Sequence, residues 1–167
     1  MTAFELAQSG YPSDRRYSPD HVWAKLSGST LEIGMTPYAL EALGQLQSLR
    51  FAALGSRVEQ DSPCGEIEAN KSVSDVYAPV AGVLVDVNQA TLEMVELITD
   101  DPFARGWLAR LDVSDSVQQF GQLLDVSGYL TLIDEGSPRA DVEIRQEMDQ
   151  ELGQEMGQEM GQEVKTP

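Results

Sequence analysis

Positive charge is scarce in the 167-residue chain: Lys and Arg total 11 against 28 Asp and Glu, a formal net charge of −17. A nucleic-acid clamp needs a basic face to neutralise phosphates, and anionic membranes repel such a chain, so neither is expected as a partner. Lysine is scarcer still, being confined to Lys25, Lys71 and Lys165. Cys64 is the one cysteine. It excludes an internal disulfide framework, leaves a Cys-based metal cluster without ligands, and fits a reducing compartment. His21 is the one histidine, so a His-based metal site and a Ser-His-Asp arrangement both lack parts, and its place before Val22-Trp23 reads as structural. There is no phosphate-cradling glycine loop. No apolar run is long enough for a signal-peptide core or a membrane span, and Glu5 makes the N-terminus acidic early, so the expected location is cytoplasmic. With so few catalytic groups, the chain is not expected to be a self-sufficient enzyme.

What is present is a hydrophobic content of 41%, enough for one domain with a core. The charge is uneven. Residues 1–133 hold 18 acidic and 8 basic side chains (−10), and residues 134–167 hold 10 and 3 (−7). From Gln146 the sequence repeats every four residues, QEMD-QELG-QEMG-QEMG-QEV. A four-residue apolar stripe drifts about 40° per repeat on a helix, and each of Gly153, Gly157 and Gly161 costs ~1 kcal/mol relative to Ala. Residues 136–167 are therefore expected to form a disordered acidic tail, and residues 1–16 an N-terminal extension, around a body at 17–135.

The body reads as short strands between turns. Val22 to Leu26 and Thr30 to Ile33 flank Ser27-Gly28-Ser29 as a hairpin. Thr36 as N-cap, Pro37 at the first helical position and Gly44 as C-cap bracket a two-turn helix whose buried face carries Leu40 and Leu43. Pro63 to Glu68 and Val73 to Ala78 read as two arms of a second hairpin around Ala69-Asn70-Lys71-Ser72. Val83 to Val87 and Trp107 to Val113 alternate as strands, with Trp107 a candidate core residue. Helix-like stretches at Ser116–Asp125 and Tyr129–Glu135 close the body.

Glu66 and Glu68 share a strand face, the ordinary pattern of a solvated strand. Cys64 has no neighbouring base and reads as a small buried hydrophobe. Lys71 stands apart. It occupies a hairpin tip with Glu68 and Asp75 on the two arms, and a rigidly presented amine at a tip is what a modifying enzyme can reach.

The stretch Glu68-Ala69-Asn70-Lys71-Ser72-Val73-Ser74-Asp75-Val76-Tyr77-Ala78-Pro79-Val80-Ala81-Gly82 resembles the lipoyl-attachment hairpin of glycine cleavage H proteins, E-S-x-K-A-x-S-D-x-Y-x-P-x-x-G. The resemblance extends from Tyr17-Ser18-Pro19-Asp20-His21 through Gly34 to Ala39, Leu43-Gly44, Asp101-Pro102-Phe103 and Gly106-Trp107-Leu108 to Tyr129, Leu132, Ile133, Asp134 and Glu135. It implies a mainly β fold, a lipoyl/biotinyl-type sandwich of two small antiparallel sheets (a barrel-sandwich hybrid) with short flanking helices. It also implies lipoate in amide linkage to Lys71, with Glu68 and Asp75 recognised around the attachment turn. The biotinyl relatives usually place Met on both sides of their lysine, and Asn70 and Ser72 stand there instead. The implied partners of this non-catalytic carrier, expected to be a monomer, are a lipoylating enzyme and dihydrolipoyl dehydrogenase. Beyond these come either glycine decarboxylase and aminomethyltransferase or a heterodisulfide-reductase-like complex.

The departures weight that last choice. The family's His-Glu-Trp has Val22 at its Glu, a residue that in the family helps hold the aminomethyl group, and valine cannot pair with an ammonium. Leu-Gly-Asp becomes Leu43-Gly44-Gln45, and Val95 and Thr99 replace a usual Pro and Asn. On the loss at Val22, the chain reads as an H-like lipoate-binding protein of sulfur oxidation. The alternative is the glycine cleavage H protein carrying the aminomethyl intermediate.

Overall fold

The computed structural model describes residues 10–135, so the tail expected at 136–167 lies outside the described residues. The first two strands, β1 (Arg16–Tyr17) and β2 (Val22–Ser27), are followed by β3 (Thr30–Met35). The β2–β3 register runs from Val22↔Met35 to Ser27↔Thr30, which leaves Gly28-Ser29 as the connection. Gly28 has φ 62°, the positive value that the first position of a II′ turn requires. Helix α1 (Pro37–Leu43) is bracketed as its sequence suggests. Thr36 accepts from the Ala39 amide, Pro37 opens the helix, the Gly44 N–H returns to the Leu40 carbonyl, and Ala39, Leu40 and Leu43 are buried.

Six further strands complete the two sheets after α1: β4 (Leu46–Phe51), β5 (Arg57–Val58), β6 (Pro63–Ala69), β7 (Val73–Tyr77), β8 (Gly82–Val87) and, later, β9 (Ala109–Asp112). Between β8 and β9 lie the short helices α2 (Gln89–Glu93) and α3 (Glu96–Asp100), and α4 (Val117–Phe120) and α5 (Val126–Asp134) close the described chain. All pairings are antiparallel. One sheet has the order β1-β2-β3-β9-β8-β5 and the other β4-β6-β7. Leu31, Ile33, Leu84 and Leu111 from the larger sheet and Ile67 and Val76 from the smaller enter a shared core. The architecture is the expected two-sheet β sandwich with short helices.

A second apolar cluster lies on the other face of β2. Val22 and Ala24 belong to the central core, whereas Trp23 packs with Tyr17, Val126, Tyr129 and Leu130, so β2 is buried on both sides. The Tyr17 and Tyr129 rings stack with centroids 4.9 Å apart, and Trp23 Nε1 donates to the Pro102 carbonyl at 2.9 Å. A Cβ on Gly34, which sits across from Trp23 in the ladder, would lie 2.4 Å from the indole.

Three expectations need correction. The body does not begin at residue 17. Tyr11 packs on the Tyr17, Phe103 and Tyr129 rings, and the buried Arg15 guanidinium lies 4.7 Å from the Trp23 ring centroid while donating to the Phe103 carbonyl. Aromatic and cation–π contacts across 11–16 thus tie part of the supposed extension to the body. Trp107 is only half-buried, covered on one side by Arg110 at 3.9 Å; the core tryptophan is Trp23. In β8 the alternation breaks, because a register shift between Leu84 and Asp86 exposes Val85 and turns Val87 inward.

Candidate functional site

In the small sheet, β6 and β7 pair as Glu68↔Val73, Ile67↔Ser74 and Glu66↔Asp75. The Ala69 amide donates to the Ser72 carbonyl at 2.8 Å, which closes the connection and leaves Asn70 and Lys71 at the tip. Neither has a positive φ, so the turn suits ordinary side chains and needs no glycine. Lys71 is exposed. Lys25 is paired with Asp14 at 3.6 Å, whereas Lys71 has no ion pair or side-chain hydrogen bond among the described residues.

Alternation puts Ile67, Ala69 and Val76 into the core, and Glu66, Glu68, Val73 and Asp75 together on the opposite face. Glu66 is joined by Arg50. Glu68 accepts from Ser48 Oγ at 3.2 Å. Asp75 faces Glu66 directly and Glu68 only diagonally. The two carboxylates singled out from the sequence therefore share a face close behind Lys71, with Glu66 beside Glu68 as its strand position suggests, while Arg50 and Ser48 from β4 belong to the same face and were not anticipated. They were hidden because β4 carries no clean alternation.

The structure adds a further group at the tip. The Asn70 N–H donates to the Gln45 carbonyl at 3.0 Å, its Nδ2 donates to Gln45 Oε1 at 2.9 Å, and its Oδ1 accepts from Gln47 Nε2. The β4–β6 ladder goes from Leu46↔Ala69 to Ser48↔Glu68, so Gln47 is the extra residue of a bulge, a device that re-aims a side chain. The one sequence signal for this group is Gln45 itself, standing where the resembled pattern has Asp.

The remaining candidates are structural. His21 is buried, and its Nδ1 lies 2.6 Å from the Tyr129 hydroxyl, which in turn lies 2.7 Å from Thr36 Oγ1. Cys64 is buried, donates to the Val76 carbonyl at 3.3 Å, and has its thiol pushed up to about 12 by burial; it is a packed hydrophobe and no nucleophile. Val22 is wholly buried in the central core. No cluster of His, Cys, Asp and Glu able to hold a metal occurs among the described residues, and no helix among them is long and apolar enough to cross a membrane.

A lysine-borne acyl cofactor fits this tip. Acylation replaces the ammonium by an amide, and at Lys71 that change breaks no ion pair among the described residues, while the sheet behind it fixes the root of the arm.

The sequence matches the family described as glycine cleavage H-protein over residues 15–136. It is 38% identical over 121 residues to the glycine cleavage system H protein of Beutenbergia cavernae, with 72% of this chain and 94% of the relative covered. It is 38% identical over 123 residues to that of Thermus thermophilus, covering 74% and 95%. The crystal structure of a glycine cleavage system H protein from Mycobacterium marinum superposes with a TM-score of 0.68 at 33% identity, over 74% of this chain and 99% of that one. With this match in sequence, fold and hairpin, the chain belongs to the glycine cleavage H-protein family, the non-catalytic carriers of a lysine-attached lipoate.

Proposed function

We propose that this chain is the H protein of a glycine cleavage system, with Lys71 the lipoylated residue and Glu68 and Asp75 the carboxylates that a lipoylating enzyme reads. The observation that carries the assignment is the exposure of Lys71 at a closed two-residue tip, free of ion pairs among the described residues. Bound lipoate supplies a strained cyclic disulfide that interconverts with a dithiol and can hold a substrate fragment on sulfur. The protein's own part is presentation: β6 and β7 hold the root, and tethering raises the effective concentration of the cargo at a docked enzyme. The partners are then glycine decarboxylase, aminomethyltransferase, dihydrolipoyl dehydrogenase and the lipoylating enzyme. The carrier unit is the body to residue 135, with the acidic segment 136–167 appended to it.

The sulfur-oxidation reading, and the heterodisulfide-reductase-like partner with it, rested on the valine at position 22. The relatives are glycine cleavage system H proteins, which supports the alternative instead. Substitution of one carboxylate weakens the grip on a cationic cargo but leaves the attachment hairpin intact. The test is loading of the purified, lipoylated chain by glycine decarboxylase. Lipoate-dependent release of carbon dioxide from glycine, lost in Lys71→Arg, is expected. Absence of loading under conditions where a standard H protein is loaded would refute the glycine reading.

A further inference from the structure

We propose that Asn70 is a positioning residue for the acylation of Lys71, held by Gln45 and Gln47 so that the tip is presented in one conformation to the lipoylating enzyme. The inference rests on Lys71 being the acylated lysine, and it concerns how the neighbouring residue prepares it.

A two-residue hairpin tip at the end of a small sheet is ordinarily the first part of a ladder to fray. Here the turn residue directly before the lysine is tied to β4 and to Gln45, the residue that leads into it. The Asn70 backbone N–H reaches the Gln45 carbonyl at 3.0 Å, its Nδ2 reaches Gln45 Oε1 at 2.9 Å, and its Oδ1 accepts from Gln47 Nε2. Gln45 and Gln47 can both reach it because they flank the inward-facing Leu46, and Gln47 is the bulged residue of β4. Lys71 itself takes no part. The three bonds therefore immobilise the backbone on one side of the lysine while leaving its amine available. All three side chains are solvent-exposed, so they contribute little to the core, which points to an effect on the tip and not on global folding.

An enzyme that binds one tip conformation has its apparent affinity reduced by the fraction of time that conformation is absent. Loss of the clamp should consequently raise KM for the chain as acyl acceptor by about 3- to 10-fold, with kcat unchanged.

The test compares full-length Asn70→Leu, which keeps the bulk and the backbone bond, with Gln45→Ala/Gln47→Ala, which leaves Asn70 in place. Gln45→Glu, which retains the acceptor for Asn70 Nδ2, is the conservative control. Lipoylation kinetics are read with a lipoylating enzyme and lipoate, and hydrogen exchange is read at the Ala69 amide, whose bond to Ser72 closes the turn. The expected result is a raised KM and faster Ala69 exchange in both disruptive variants, no further loss when all three substitutions are combined, and wild-type values for Gln45→Glu at an unchanged melting temperature. Unchanged exchange and KM in Asn70→Leu would overturn the proposal. So would a raised KM in Asn70→Leu alone, which would mean that the enzyme reads the Asn70 side chain directly. If the unsubstituted chain took no lipoate at all, the assignment of Lys71 would fall, and the Ala69 exchange would still decide whether the clamp exists.

Discussion

Lys71 and Lys25 carry the same chemistry in different settings. Lys25 lies on β2 in an ion pair with Asp14, so acylating it would cost an interaction, whereas the Lys71 amine has no ion pair to lose among the described residues. Lys71→Arg keeps the charge and removes the acylable amine; it should abolish lipoylation and glycine-dependent activity while shifting stability by less than about 0.5 kcal/mol, as surface changes do. A large fall in melting temperature would show that the tip has a packing role. The tryptophans are to be separated in the same way. Trp23 is fully buried within the second cluster with Gly34 beneath its ring, and Trp23→Ala should cost ~3–5 kcal/mol. Trp107, half-buried under Arg110, should cost roughly 1–2 kcal/mol on truncation to Ala, the share of a partly exposed ring with a cation on it. Equal costs in chemical denaturation would contradict the burial described here. Composition alone could not separate the two, since both tryptophans stand beside apolar residues and it is tertiary packing, by α5, Tyr17 and Arg15, that covers Trp23.

At the scale of elements, caps and turns were readable and short strands were not. Thr36, Pro37 and Gly44 mark α1 because each does a local job, and the hairpin at 63–77 is legible because a polar turn separates two β-rich arms. The strands β1 and β5 are two residues each, and β4 carries the bulge at Gln47, so none has a period to detect. Helices α2 and α3, five residues each, are likewise too short for helical periodicity and are held by tertiary contacts. The site followed the same division: Lys71 and the carboxylates of its hairpin were legible, whereas the residues from β4 that face them were not. Thr36 shows how a cap is joined to the rest. Its hydroxyl serves the helix and also meets Tyr129, which meets His21. Thr36→Val should cost ~1–3 kcal/mol, combining a lost cap with a buried phenol deprived of a partner. In a cycle with Tyr129→Phe the two losses should be markedly non-additive; strict additivity in denaturation midpoints would show that the network is not coupled.

For the whole molecule, charge and burial set the response to the medium. Burial raises the Tyr17 and Tyr129 phenols above their ordinary 10.0 and the Cys64 thiol from 9.0 to about 12. Each is neutral when protonated, so in alkali the unfolded chain loses these protons first and binds fewer than the folded chain. Stability from these groups is therefore complete below about pH 9 and falls as pH rises from 9 towards 12. Thermal unfolding between pH 7 and pH 12 should show that decline, and Cys64→Val should reduce it; a flat profile would count against the burial of these groups. The net charge of −17 passes to −18 when Lys71 is acylated, so the mature carrier meets its enzymes as a strong anion. Association rates should drop steeply between low and high salt, as the screening length shortens from ~10 Å at 0.1 M to ~3 Å at 1 M, and salt-independent rates in stopped-flow mixing would exclude steering. The central claim concerns one amine among three. Peptide-resolved mass spectrometry of the full chain after co-expression with a lipoylating system should find lipoyl on Lys71 and none on Lys25 or Lys165; an unmodified Lys71, or lipoate on either of the others, would contradict the account.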